Sequence, residues 1–90
     1  MNEGSFEWDE DEAQSNLAKH GVGFEAAIRV FDDVFAFDRA DLESDPAESR
    51  FAITGLVKGI MLTVVYTERG DRTRIISARK ATRHEETEYY

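Results

Sequence analysis

Residues 50–80 contain three runs rich in β-branched and aromatic side chains, 50–58, 60–67 and 73–80, separated only by Lys58-Gly59 and by E-R-G-D at 68–71. Glycine in such a break supplies the left-handed backbone that a tight reversal needs. Breaks this short leave no room for the crossover that parallel neighbours require, so each run has to fold back on the one before. The expectation is an antiparallel meander of three strands, and the rest of the chain must pack against it.

The amino-terminal half reads as helical after one short strand. In F-E-W-D at 6–9, apolar Phe6 and Trp8 alternate with polar neighbours, which suits a strand with one buried face. Asp9 is placed to cap a helix whose acidic first turn, Glu10, Asp11 and Glu12, complements the positive end of its dipole. That helix runs to about His20, with Ala13, Leu17 and His20 on its inner stripe and Gly21 ending it. A second amphipathic helix over 24–31 puts Phe24, Ala27, Ile28 and Phe31 on one side. V-F-A-F at 34–37 suggests a further strand, residues 39–48 with Pro46 a mobile polar loop, and residues 81–90 a short helix bearing Glu85, Glu86 and Glu88. The order predicts an α+β fold: two amino-terminal helices on a mainly antiparallel sheet of four to five strands, closed by a short helix.

Ninety residues with 41% hydrophobic content and ten aromatic rings suffice for one core and no more, so residues 1–90 read as a single domain. Cysteine is absent and histidine occurs twice, which leaves neither a disulfide framework nor a convincing metal site, and nothing calls for a cofactor. The longest apolar runs, such as 60–66, fall far short of the roughly 20 residues that span a bilayer, and no basic segment opens the chain. The reading is a cytoplasmic protein with no membrane partner.

Charge is unevenly distributed. The formal net charge is −8, yet residues 1–49 hold three cations against fourteen acids, whereas residues 50–84 hold eight cations against two acids. Five of the eleven Lys and Arg residues fall between Arg72 and Arg83. Screening confines each field to about 8 Å at physiological salt, so an acidic protein can still offer a cationic patch to phosphates. The other reading is that the two halves neutralise each other across the fold. Strict alternation along 73–80 puts Arg74, Ile76, Ala78 and Lys80 on one face and Thr73, Ile75, Ser77 and Arg79 on the other. Arg74 and Arg79 then either pair with carboxylates of the acidic half or form a phosphate site, for which the guanidinium fork is suited.

Several blocks, in order, resemble the BrnT family: F-E-W-D at 6–9, Asn16, K-H-G-V at 19–22, F-E-A-A at 24–27, V-F-D at 30–32, Glu48 and Arg50, Gly55, L-T-V-V-Y-T-E-R at 62–69, R-I-I-S-A-R-K-A at 74–81, Glu85 and Tyr89. The resemblance covers nearly the whole chain and implies a RelE-like fold. It also implies a ribonuclease toxin of a type II toxin-antitoxin pair, neutralised by a BrnA-like antitoxin of ribbon-helix-helix type. Operator DNA would be reached only through that antitoxin. An alternative within the same resemblance is a non-catalytic module that binds the antitoxin and acts as co-repressor.

A nuclease of this kind would use the RNA 2′-hydroxyl as nucleophile without a metal, and the protein would supply a base, an acid and cations. Arg50 and Arg79 are then the candidate phosphate clamps, with Arg74 and Lys80 as further RNA contacts. Lys19 and His20 are candidates for proton transfer; His20 can equally be a helix-end histidine packed in the core, and Lys19 a solvated cation. Glu48 is a possible base, or the ion-pair partner of Arg50. Trp8 and Tyr66 could stack on bases or serve as core anchors. Asp11 and Glu12 stand where similar sequences often carry lysine, which lowers the expected phosphate affinity. The acidic first helical turn, Glu10 to Glu12, is expected to lie near the basic, DNA-facing surface of the antitoxin.

Overall fold

The computed structural model describes residues 2–3, 5–41 and 49–90. Its elements are β1 (Asn2–Glu3), β2 (Phe6–Glu7), α1 (Glu10–His20), α2 (Phe24–Ala27) running into a 3₁₀ turn (Ile28–Asp32), β3 (Phe37–Ala40), β4 (Phe51–Val57), β5 (Ile60–Arg69), β6 (Arg72–Lys80) and α3 (Arg83–Tyr89). Six strands among these residues form one mixed sheet in the order β1-β2-β6-β5-β4-β3. The meander β4-β5-β6 is antiparallel as the turns require, and β2 joins β6 in parallel through Phe6 opposite Thr73. Lys58 and Gly59 both take positive φ, 51° and 83°, in the two-residue turn between β4 and β5.

α1 follows its sequence signals closely at both ends. The Asp9 carboxylate accepts from the Asp11 and Glu12 amides at 2.8 and 3.1 Å, and Gly21, at φ 72°, donates to the Leu17 carbonyl. Its inner stripe differs from the expectation. Leu17 is 52% exposed and His20 is exposed, whereas Asn16 is buried. The reason lies at the sheet edge: β2 covers β6 only at Thr73 and Arg74, leaving the Ala78 amide and carbonyl open. Asn16 fills that gap by donating to the Ala78 carbonyl at 2.8 Å and accepting from its amide at 3.1 Å, as a neighbouring strand would.

The second helix is one α turn that tightens to 3₁₀. Three residues per turn bring Ala27 and Val30 onto the same side, and both are fully buried. The strand expected at 34–37 begins at Phe37 instead. Asp33 turns the chain first, its side chain accepting from the Phe35 amide at 3.0 Å and its carbonyl from the Ala36 amide. Val34 and Phe35 are left 88% and 75% exposed. Arg39 and Ala40, read as loop from the sequence, belong to β3; residues 42–48 of that expected loop lie outside the described residues.

The core lies between α1, α2, the 3₁₀ turn and one face of the sheet, where Trp8, Phe24, Ile28 and Val30 meet Ile53, Leu62, Val64, Tyr66, Ile75 and Ala78. Full burial of one such large apolar side chain contributes about 1.5–3 kcal/mol. Gly55 is needed at the close approach of the 3₁₀ turn, because a Cβ there would stand 2.9 Å from Ala36 Cβ and 3.2 Å from Val30 Cγ1.

A bulge decides which side chains reach the opposite face. Tyr66 pairs with Ile75 and Val65 with Ser77, so Ile76 is skipped. Strict alternation therefore fails. Arg74 joins Ser77 and Arg79 on the face away from α1 and α2, while Lys80, opposite Leu62, falls on the helix side.

Candidate functional site

The face turned away from the core helices carries most of the ordered cations of the sheet. Phe37, Thr54, Thr63 and Arg79 form one row across β3, β4, β5 and β6, and Arg39, Ala52, Val65 and Ser77 form the next. Arg74, opposite Thr67, begins a third. Alternation places Arg50, the residue before β4, on this side as well; its carbonyl accepts from the Asp41 amide at 2.8 Å.

α3 closes one end of this face, and Thr82 starts it with a capping box. The Thr82 hydroxyl accepts from the Glu85 amide at 3.2 Å, and the Glu85 carboxylate accepts from the Thr82 amide at 2.8 Å. The same carboxylate is the centre of the site. Its Oε1 accepts from Arg79 Nη1 at 2.7 Å and from the Thr63 hydroxyl at 2.9 Å; its Oε2 accepts from Arg79 Nη2 at 3.0 Å and from Arg39 Nη2. Thr63 is itself bonded to Thr54 at 2.7 Å. Tyr89, one turn further along α3, donates to Asp33 at 2.7 Å, and the same Asp33 oxygen accepts from the Leu56 amide at 2.8 Å.

These contacts set the charges. Burial alone would push the Glu85 carboxyl up, but hydrogen bonds from Arg79, the Thr82 amide, Arg39 and Thr63 outweigh it and hold the group well below the usual carboxylate range. The Glu85 hydrogen bond, with its charge, makes Arg79 still harder to deprotonate. Glu85 is 5% exposed as a side chain, whereas Arg39 and Arg79 remain 41% and 36% exposed. Two guanidiniums thus face solvent over one buried carboxylate. Among the described residues no three His, Asp or Glu side chains gather where they could hold a metal ion.

The other residues singled out in the sequence are scattered. Arg74 pairs with Glu7 at 3.2 Å and Glu12 at 3.7 Å, the acidic-half pairing that was one of its two readings. Lys80 is exposed beside Gly21, Val22 and Leu62 on the helix side, opposite Arg79 as alternation placed it, and the bulge separates it from Arg74. Lys19 and His20 are exposed in the last turn of α1, so the His20 ring is not a core group. Trp8 is 2% exposed and packs edge-on against Phe24; Tyr66 is 6% exposed and donates to Asp38 at 2.6 Å. Burial leaves neither ring a face for a base, and both serve as core anchors. Glu48 lies outside the described residues.

Arg39, Thr63 and Glu85 are the members of the site that sequence reasoning missed. The T-x-x-E spacing of Thr82 and Glu85 is a capping-box signature and could have fixed the position of Glu85. Arg39 had no comparable local signal. A surface cleft of about 690 Å³ lies elsewhere, between α2, Phe35 and the β4–β5 turn, and has Tyr89 but neither Arg39 nor Arg79 in its wall.

No helix among the described residues is long and apolar enough to cross a membrane. No curated protein matches the chain. Residues 8–85 match the family model of BrnT, the ribonuclease toxin of a type II toxin-antitoxin system. The match runs from Trp8, just after β2, through Glu85 and takes in Arg39, Thr63, Arg79 and Glu85, and the chain belongs to this family.

Proposed function

We propose that this BrnT-family toxin is a RelE-like, metal-independent endoribonuclease whose RNA site is the sheet face bearing Arg39, Arg50 and Arg79. The observation that carries the reading is the convergence of Arg39 and Arg79, from β3 and β6 on one face of the sheet, on one anion. A carboxylate and a phosphodiester each present two oxygens and one negative charge, so an Arg pair oriented for one suits the other. The substrate 2′-hydroxyl attacks the adjacent phosphorus and the 5′-oxygen leaves, giving a 2′,3′-cyclic phosphate. The guanidiniums stabilise the charge that grows on the phosphoryl oxygens. Arg74 lies further along the same face and would follow the RNA backbone. Glu48, next in sequence but one to Arg50, is the candidate for proton transfer.

A type II toxin acts with a protein antitoxin, here proposed to be BrnA-like with a ribbon-helix-helix DNA-binding fold; operator DNA is then bound through the antitoxin. Inhibition of translation follows from cleavage of RNA in the cytoplasm. A second reading, an antitoxin-binding co-repressor without catalysis, is favoured by one observation: Arg79 and Arg74 are already paired with the chain's own carboxylates. Incubating a purified unstructured RNA with the protein in EDTA separates the two. Cyclic-phosphate ends that vanish when the nucleotide at the cut carries a 2′-deoxy sugar support the nuclease. An RNA left intact by protein that still binds its antitoxin supports the co-repressor.

A further inference from the structure

Arg79 has one terminal fork, and both of its prongs are on Glu85, at 2.7 and 3.0 Å; Arg39 Nη2 is on the same carboxylate. A phosphate cannot take the Arg79 fork while Glu85 holds it. The carboxylate lies beneath the two guanidiniums, 5% exposed, and reaches them only because α3 carries it there. α3 is otherwise lightly attached. Its seven residues include Glu86, Thr87 and Glu88, all exposed, and the described side-chain ties to the rest of the fold are those of Glu85 and the Tyr89–Asp33 hydrogen bond.

We propose that Arg39 and Arg79 form a phosphodiester site whose resident ligand is the chain's own Glu85, so that α3 is a plug that RNA must displace. This rests on the RNA reading above and adds to it a regulatory step. The exchange is one anion for another: the phosphodiester takes the guanidinium bonds and the Glu85 carboxylate returns to water. The Thr63 hydroxyl, between Thr54 and Glu85, is left to donate to the incoming phosphoryl oxygen. In free protein the plug cancels one of the site's two positive charges and occupies the Arg79 fork, and anything that loosens α3 strengthens RNA binding.

The test is binding of a short, fully 2′-O-methylated RNA, which cannot be cut, at one fixed ionic strength. The proteins are the native chain, Glu85→Gln and Tyr89→Phe. Glutamine preserves the capping box, so α3 keeps its start while the competing charge goes. Phenylalanine removes the α3 tether without touching a cation. Binding should tighten roughly tenfold in Glu85→Gln, the effect of removing a charge-assisted contact worth about 1.4 kcal/mol, and severalfold in Tyr89→Phe. Amide hydrogen exchange over 83–89 should also accelerate in the native protein when RNA saturates it.

Equal or weaker binding by the folded variants, with α3 equally protected with and without RNA, would overturn the plug. Glu85 would then be a positioning residue, and native cleavage of ordinary RNA would still stand. The converse result, tighter binding by both variants with α3 released but no cutting of ordinary RNA, would keep the plug and end the nuclease reading. Failure of all three proteins to bind the RNA also overturns the proposal.

Discussion

Replacing Asn16 by alanine should cost more than any other single loss of a polar side chain in α1. Its amide nitrogen donates to Val22 and Ala78 carbonyls at 3.0 and 2.8 Å, and its oxygen accepts from the Ala78 amide at 3.1 Å. Alanine leaves one amide and two carbonyls without a partner at a buried edge. The unpaired amide costs about 1–3 kcal/mol, and each carbonyl, which has a second lone pair and can find water, costs less. The sum is about 3 kcal/mol, or roughly 12–24 °C in the melting temperature of a domain this size. Guanidinium unfolding and thermal melting followed by circular dichroism measure it directly. Asn16→Asp sharpens the test: the carboxylate still accepts from Ala78 but sets an anion against two carbonyl oxygens. That variant should be at least as unstable as alanine at pH 7 and recover as the pH falls and the carboxyl gains a proton. A loss under about 1 kcal/mol for alanine, or an aspartate variant as stable as the native protein at pH 7, would refute the strand-like role of this side chain.

Three further outcomes are expected. Gly55→Ala should destabilise by about 1–3 kcal/mol in chemical denaturation, since its Cβ would press on Ala36 and Val30. Glu85 and Asp33 are both held below the usual carboxylate range, the latter by the Leu56 amide, Tyr89 and the Phe35 amide. Their contribution is therefore complete above the unfolded value of about 4.3 and is lost as pH falls below it, so melting temperature should drop on the acid side, with a shallower slope in Glu85→Gln. The Tyr89 hydroxyl is pushed up to about 12 by its hydrogen bond to Asp33. Its contribution is complete below about pH 10 and disappears as pH rises through 12, an alkaline loss that Tyr89→Phe should abolish in ultraviolet and melting titrations.

Local signals in the sequence carried a good part of the fold. Asp9 and Gly21 bracket α1, and the breaks at Lys58-Gly59 and at 68–71 fix the meander, because caps and tight turns are decided by residues within a few positions of each other. What escaped was non-local. The bulge at Ile76, which brings Arg74 round to the Arg79 face, depends on how β6 lies on β5. Asn16 is buried because β2 stops short, which nothing within α1 reveals. Asp33 ends a helix and also bonds Leu56 and Tyr89, so the strand expected at Val34 starts only after it. In the site, Arg79 was legible from its motif and its charge. Its partners, Arg39 from the far edge strand and Glu85 from α3, lie 40 positions away and six positions away, and only the folded sheet brings all three to one point.

The proposed function rests on RNA cleavage at the Arg39–Arg79 face. It is tested most directly by the single-turnover rate of RNA cleavage in EDTA for Arg39→Ala, Arg79→Ala and, as control, Arg29→Ala, whose exposed guanidinium pairs with Asp32 in the 3₁₀ turn. A loss of roughly 10²-fold or more is expected for Arg79→Ala, a substantial loss for Arg39→Ala and a native rate for Arg29→Ala. Native rates in both site variants, with the fold intact, would contradict it.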